Sequence, residues 1–313
     1  MTGIASPAPG ACGWERWQVT PEAALDVFRA RGRAARPLAV LTGGIHGDEY
    51  EGPTAILEIC RRLATIPLAG SVVAIPVVNP AAFQAGTRTS PVDGLNLART
   101  FPGKEAGSLT ERLAYHLFAG VASQADLLID LHSGGVEYVF LPVAGFYGPA
   151  SPANPSFAAA QRMGLRHLWA LPPTAGVLSC ECWKRGIVSV GAEYLGAGQL
   201  SEAGVRDYVW GVLACLAHAR ILDDDVGPLP HQTAFTGDWQ LAETDGIFRA
   251  CTEIGQPVER GARLAEIMDL RGEVRQTFQA PAPGVVLGLR SKAFLRAGGW
   301  AVLLGQPVEE SDA

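Results

Sequence analysis

Continuous apolar runs, each stopping at a Gly- or Pro-rich turn and followed by helical periodicity, recur through the first two-thirds of the chain and leave few architectures open. Pro37-Leu-Ala-Val-Leu-Thr42 is the first, succeeded by a helical pattern from about Pro53 to Ala64. Ser71-Val-Val-Ala-Ile-Pro-Val-Val78 is the second, broken by Asn79-Pro80; Asp126-Leu-Leu-Ile-Asp-Leu131 and Ile187-Val-Ser-Val-Gly-Ala-Glu193 follow. Runs without polar alternation suit strands buried on both faces. Ser108-Leu-Thr-Glu111 has the form of a capping box opening a helix to about Ser123, and Glu202 to Ile221 reads as a long helix. Strands alternating with helices predict an α/β fold with a largely parallel or mixed sheet.

The pattern breaks at Asp223-Asp-Asp-Val-Gly-Pro-Leu-Pro230, where consecutive acids precede Gly and two prolines. We read 1–222 as one domain, 223–234 as a linker and 235–313 as a small all-β domain, since Gly and Pro recur there without helical periodicity. That segment resembles the barrel-sandwich fold of lipoyl and biotinyl carriers. Carriers present a modifiable lysine at a hairpin tip; Met268 to Val274 has none, and Lys292 is the only lysine of the segment, so a structural or assembly role is expected.

A net charge of -6 and the lack of any basic cluster argue against a nucleic-acid partner. No apolar run reaches the roughly 18 residues of a membrane span, and Met1 to Ala24 lacks the layout of a signal peptide. A cytoplasmic protein is expected. The six cysteines form no Cys-x-x-Cys pair and read as free thiols.

Chemistry-bearing residues gather where the apolar runs end. His46-Gly-Asp-Glu49 follows the first strand, and its imidazole and carboxylate can converge on one divalent ion. Alone, His-x-x-Glu is more often a polar turn capping a helix than a metal site. His132, in Asp130-Leu-His132-Ser-Gly-Gly135, leaves another strand at its carboxyl end, the edge where open α/β sheets carry their ligands. Two histidines and one glutamate with an open position suit metal-assisted hydrolysis. Glu193, closing a later strand, can take a proton from water and deliver it to a leaving amine. Between them runs a Gly- and Pro-rich stretch containing Gly86-Thr-Arg88 and Asp93-Gly-Leu-Asn96-Leu-Ala-Arg99-Thr-Phe-Pro-Gly103. Arg88 can stabilise an oxyanion, and Arg99 can hold a carboxylate in a bidentate fork.

Gly-Gly-Ile-His46-Gly-Asp-Glu49, Asn79-Pro80, Gly-Thr-Arg88, Asp-Gly-Leu-Asn96-Leu-Ala-Arg99-Thr-Phe-Pro-Gly, Asp-Leu-His132-Ser-Gly and Gly-Ala-Glu193-Tyr-Leu-Gly occur in the order seen in the succinylglutamate desuccinylase/aspartoacylase family. The chain resembles that family from about Leu38 to Gly196, and in wording is most similar to the bacterial deacetylases of N-acetyl-diaminobutyrate. The resemblance implies a carboxypeptidase-like α/β/α sandwich with a mixed sheet, and a β-rich C-terminal domain. It also implies one zinc ion per chain held by His46, Glu49 and His132, with Glu193 as general base, Arg88 on the scissile carbonyl, and Arg99 with Asn96 on the substrate. The expected reaction is hydrolysis of the amide of a small N-acyl, chiefly N-acetyl, amino acid or amine. A zinc carboxypeptidase acting on peptides and a non-catalytic zinc-binding protein are the alternatives, and the chain is compatible with a homo-oligomer. One position departs: Ala98 stands where the family has asparagine beside the arginine.

Overall fold

The computed structural model describes residues 8–223, 227 and 229–308. Residues 1–7 of the stretch read for a leader, 224–226 and 228 of the expected linker, and 309–313 of the expected β-rich segment lie outside the described residues. The chain opens with β1 (Cys12–Thr20) and β2 (Ala23–Arg31), then β3 (Leu38–Gly43), helix α1 (Glu51–Leu63) and β4 (Ser71–Ile75). Next come α2 (Pro80–Ala85), a one-turn 3-10 helix at Leu97–Arg99, α3 (Leu109–Gly120), β5 (Leu127–Leu131) and β6 (Tyr138–Phe146). Then follow α4 (Pro155–Arg162), β7 (His167–Ala170), α5 (Leu178–Trp183), β8 (Val188–Gly196) and α6 (Glu202–His218). The remaining elements are strands: β9 (Thr233–Thr236), β10 (Trp239–Leu241), β11 (Gly246–Ala250), β12 (Pro257–Val258), β13 (Arg263–Met268), β14 (Val274–Gln279), β15 (Gly284–Arg290), β16 (Phe294–Leu295) and β17 (Trp300–Val308).

The fold is mixed α/β. β4, β3, β5 and β8 are mutually parallel neighbours, flanked by antiparallel β2 on one side and β6 on the other. Both faces are covered, and the alternation of side chains along each strand shows how. In β3, Ala39 and Leu41 join one core with Ile56 and Ile59 of α1 and Tyr208 of α6; Val40 joins another with Leu113 and Leu117 of α3. The second expected strand stops at Ile75 rather than Val78, because Pro76 has no N–H to give the ladder. α3 does open with a capping box: Ser108 Oγ accepts from Glu111 N, and Glu111 Oε2 accepts from Ser108 N.

β6 pairs along its length with β8, near its start with β15 and near its end with β7. β7 pairs with β9, β9 with β17, and β17 with β15, so five strands close a circuit back to β6. Its aromatic interior includes Tyr138, Phe140, Trp169, Trp239 and Trp300. A separate four-stranded sheet, β14-β13-β11-β16, shares an apolar cluster with β12, β15 and β17 of the large sheet. The cysteines are free, four of them buried.

Candidate metal centre and active site

Three parallel strands deliver the polar groups to one edge. β3 ends at Gly43, and the turn that follows carries His46 and Glu49 before α1 begins at Glu51. β5 ends at Leu131, and His132 N donates to Ala192 O of β8 at 2.8 Å, one residue before Glu193. The two turns are tied together. Glu49 Oε2 accepts from Ser133 N at 3.1 Å and Asp48 Oδ2 from Val136 N at 2.9 Å. Gly47 N donates to Thr87 O at 2.9 Å, locking the first turn to the loop that carries Arg88. From behind, Tyr208 of α6 donates to His132 O at 2.7 Å.

Glu49 sits between both imidazoles: its Oε1 lies 2.7 Å from His46 Nδ1 and its Oε2 lies 3.0 Å from His132 Nδ1. The other ring nitrogens also face acceptors, His46 Nε2 at 3.2 Å from Asn96 Oδ1 and His132 Nε2 at 3.0 Å from Asp130 Oδ2. Asp130 is itself held by Thr42 Oγ1, which donates to its Oδ1 at 2.7 Å. A neutral imidazole donates once, so two acceptors around each ring call for a second proton or a cation. Burial, with Arg88 adding to it, pulls His46 down to about 4, so a second proton is unavailable there at neutral pH. Burial also opposes the charged form of His132, but the Asp130 and Glu49 carboxylates outweigh it and hold its pKa well above the usual value. The ligand atoms of His46, Glu49 and His132 lie within 4.8 Å of one another, and this donor set fits a borderline divalent ion.

Glu193 shares a cavity of about 360 Å³ with His46, His132, Arg88 and Arg99. Its Oε2 is buried with no hydrogen-bond partner among the described residues. Burial pushes its carboxyl well above the ordinary range, against the pull of His132 and Arg88. Opposite Glu193, the β6–β8 ladder slips between Phe140 and Val143, an irregularity of the kind that re-aims side chains beside active sites. Arg88 Nη1 donates to Glu49 Oε1 at 3.2 Å. Arg99, exposed, donates to Ala98 O at 2.7 Å, with its guanidinium 5.6 Å from the Trp300 ring. Asn96, expected beside the substrate, caps the 3-10 turn by accepting from Ala98 N at 2.9 Å and faces His46.

Sequence reasoning passed over three features. Asp130 backs His132; Asp-x-His on one strand puts both side chains on the same face, and that spacing was the available signal. Ser133 N reaches Glu49, a backbone contact that residue types do not announce. Trp239 and Trp300 wall the cavity from strands far along the chain from the candidate site residues, and no local pattern encodes that pairing.

Residues 35–219 match the family model described as the succinylglutamate desuccinylase/aspartoacylase catalytic domain. The chain is 29% identical over 290 residues to the N-alpha-acetyl-L-2,4-diaminobutyric acid deacetylase of Halomonas elongata, covering 88% of this chain and 84% of that protein. It is similar to the product-bound ectoine utilization protein of Ruegeria pomeroyi, with TM-score 0.82 and 30% identity over 90% of this chain and 89% of that one. The succinylglutamate desuccinylase/aspartoacylase of Rhodobacter sphaeroides superposes with TM-score 0.87 at 26% identity, over 99% of both chains.

Proposed function

The chain belongs to the succinylglutamate desuccinylase/aspartoacylase family, and from that premise we propose that it is a zinc-dependent hydrolase of the amide bond in small N-acyl amino acids. The observation that carries the reading is the meeting of the His46–Glu49–His132 donor set with the unpartnered Glu193 carboxyl and two arginines in one cavity. The name of the Halomonas relative supports an acetylated amino acid as the substrate class.

His46, Glu49 and His132 would hold one zinc ion, which when bound supplies Lewis acidity to a carbonyl and acidifies water. Glu193 takes the proton of the attacking water; its raised pKa makes it a better base than a free carboxylate and then an effective acid toward the leaving amine. Arg88 donates to the carbonyl oxygen as charge develops there. Arg99 grips the substrate carboxylate, and Trp300 steadies its guanidinium. Asn96 faces the His46 ring nitrogen that does not face Glu49 and would help to position that ring, besides its expected place beside the substrate. The products are a carboxylate and an amine.

Of the described residues, those up to 222 would carry this machinery on a carboxypeptidase-like α/β/α sandwich, and those from 235 to 308 would form a barrel-sandwich-like roof; Thr233 and Ala234, read from the sequence as the end of a linker, belong instead to β9, paired with β7. Asp238, Trp239, Leu241 and Trp300 from that roof line the cavity, which favours small substrates over the peptides of a carboxypeptidase. No helix among the described residues is long and apolar enough to cross a membrane; a cytoplasmic location belongs to the proposal. Assembly as a homo-oligomer is compatible with this reading and is read by light scattering.

Release of free amine from a panel of N-acetyl, N-formyl and N-succinyl amino acids by the zinc-loaded protein tests the proposal. Glu193→Gln should keep zinc and lose most turnover; a fully active variant removes Glu193 from the mechanism, and stoichiometric zinc without hydrolysis of any panel member leaves only a zinc-binding protein.

A further inference from the structure

Beyond its catalytic groups the cavity is predominantly apolar. Phe140, Trp169, Leu171, Val177 and Leu241 line it, with Ala98 contributing only a methyl. Two of the lining aromatic rings, Tyr138 and Trp300, already carry cations. Arg88 lies 5.7 Å from the Tyr138 ring and 6.0 Å from Trp300, Arg99 lies 5.6 Å from Trp300, and Arg290 lies 5.7 Å from Tyr138. A substrate ammonium would therefore find these π faces taken and guanidinium charges beside it. The one lining carboxylate outside the catalytic cluster, Asp238, is exposed to water, where an ion pair is worth little. An unpartnered ammonium is expensive to desolvate, whereas an apolar group gains from the same wall.

We propose that the pocket selects N-acyl amino acids bearing a bulky uncharged apolar group, on the acyl or on the side-chain end, and discriminates against amines that carry a second ammonium. The proposal rests on the reading of the site as an N-acyl amino acid hydrolase. It parts from the diaminobutyrate substrate named for the Halomonas relative. Ala98 belongs to the same selection: it removes a polar side chain from the lining and leaves volume in its place. At about 360 Å³ the cavity falls within the roughly 300–1,000 Å³ of small-molecule sites.

The experiment titrates the zinc-loaded full chain with N-acetyl-L-phenylalanine, N-benzoyl-L-alanine and N-acetyl-L-2,4-diaminobutyrate. Binding is followed by tryptophan fluorescence, since Trp169, Trp239 and Trp300 line the cavity, and turnover by amine release. At least one apolar ligand should bind, and be cleaved, about 10–200-fold better than the diaminobutyrate compound, the span that small changes in a hydrophobic pocket command. The better of the two apolar ligands tells which end of the substrate meets the wall. Leu241→Glu, at a half-exposed position on a short strand, should narrow that preference by about tenfold. Equal or tighter binding of the diaminobutyrate compound, or its loss in Asp238→Asn, overturns the selectivity while leaving the hydrolase reading intact. Preferential binding of the apolar ligands without hydrolysis of any compound upholds the selectivity and removes the hydrolase. Binding of none of the three overturns the inference.

Discussion

Asp130 Oδ2 lies 3.0 Å from His132 Nε2, on the side of the ring away from Glu49, and the Thr42 hydroxyl holds that carboxylate in place. The contact leaves His132 Nδ1 turned toward the candidate metal position. Carboxylates behind ligating histidines set ring orientation and basicity, and their loss costs about 10–100-fold in metal affinity. Asp130→Ala should therefore weaken zinc binding by about that factor, measured by competition with a chromophoric chelator. The His132 backbone keeps its bonds to Ala192 and Tyr208, so the fold should survive. Unchanged zinc affinity would make Asp130 a purely structural group.

At the proposed zinc site, zinc and a proton would compete for His132. Burial lowers the pKa of this imidazole, but the carboxylates of Asp130 and Glu49 raise it further than burial lowers it. A histidine with a raised folded pKa contributes stability that is complete below its unfolded value of about 6.5 and lost as pH rises through the folded value. The proton that stabilises His132 must leave for zinc to bind. Apparent zinc affinity should rise about tenfold per pH unit until the pKa of His132 is passed, then level off. His46, held down at about 4, adds no slope near neutrality. Calorimetry in buffers of different ionisation enthalpy should count one proton released per zinc near pH 7; a count of zero contradicts the assignment.

How much of this was legible in the residues follows from how local each cause is. β3, β5 and β8 announced themselves because strands buried on both faces need unbroken apolar runs, and α3 because its capping box is a four-residue device. His46, Glu49 and His132 could be brought together on paper because both turns leave parallel strands at the same edge. The β1–β2 hairpin was not expected: β1 is mostly exposed, and residues such as Glu15, Arg16 and Gln18 hide the strand in a polar pattern. Nor was the five-stranded circuit through β6, since its pairings join residues far apart in sequence. Asn96 was expected beside the substrate as a neighbour of Arg99; the 3-10 turn it caps also brings its oxygen to 3.2 Å from His46 Nε2, a contact that residue order does not announce.

Trp300 touches the two arginines of the cavity and stacks on Trp239, with ring centroids 5.2 Å apart. Each cation–π contact is worth about 0.5–2 kcal/mol according to its exposure. Trp300→Ala should raise KM for carboxylate-bearing substrates by about threefold to thirtyfold, with a smaller change in kcat. The corresponding N-acyl amine lacking the carboxylate should be spared. An equal loss on both substrates would mean that Trp300 shapes the cavity as a whole rather than steadying Arg99.

Between His46 and Glu49 the turn has no room for a side chain at Gly47. A Cβ built there would lie 1.9 Å from the carbonyl carbon of Ala82 and 2.0 Å from its oxygen, both backbone atoms of α2. Gly47→Ala must push the turn away from α2, and with it the bond from Gly47 N to Thr87 O that places the Arg88 loop. Overpacking of this kind costs about 1–3 kcal/mol, more where backbone must move. The variant should unfold at lower temperature and lose zinc affinity together, because His46 and Glu49 sit on either side of the displaced residue. Gly94→Ala is the control: its φ of +72 strains any side chain, but nothing lies within 4 Å of the added methyl. It should lose about 1 kcal/mol and keep full zinc affinity. Equal loss of zinc affinity in both variants would show that loop strain, rather than the close approach of α2, governs the geometry of the centre.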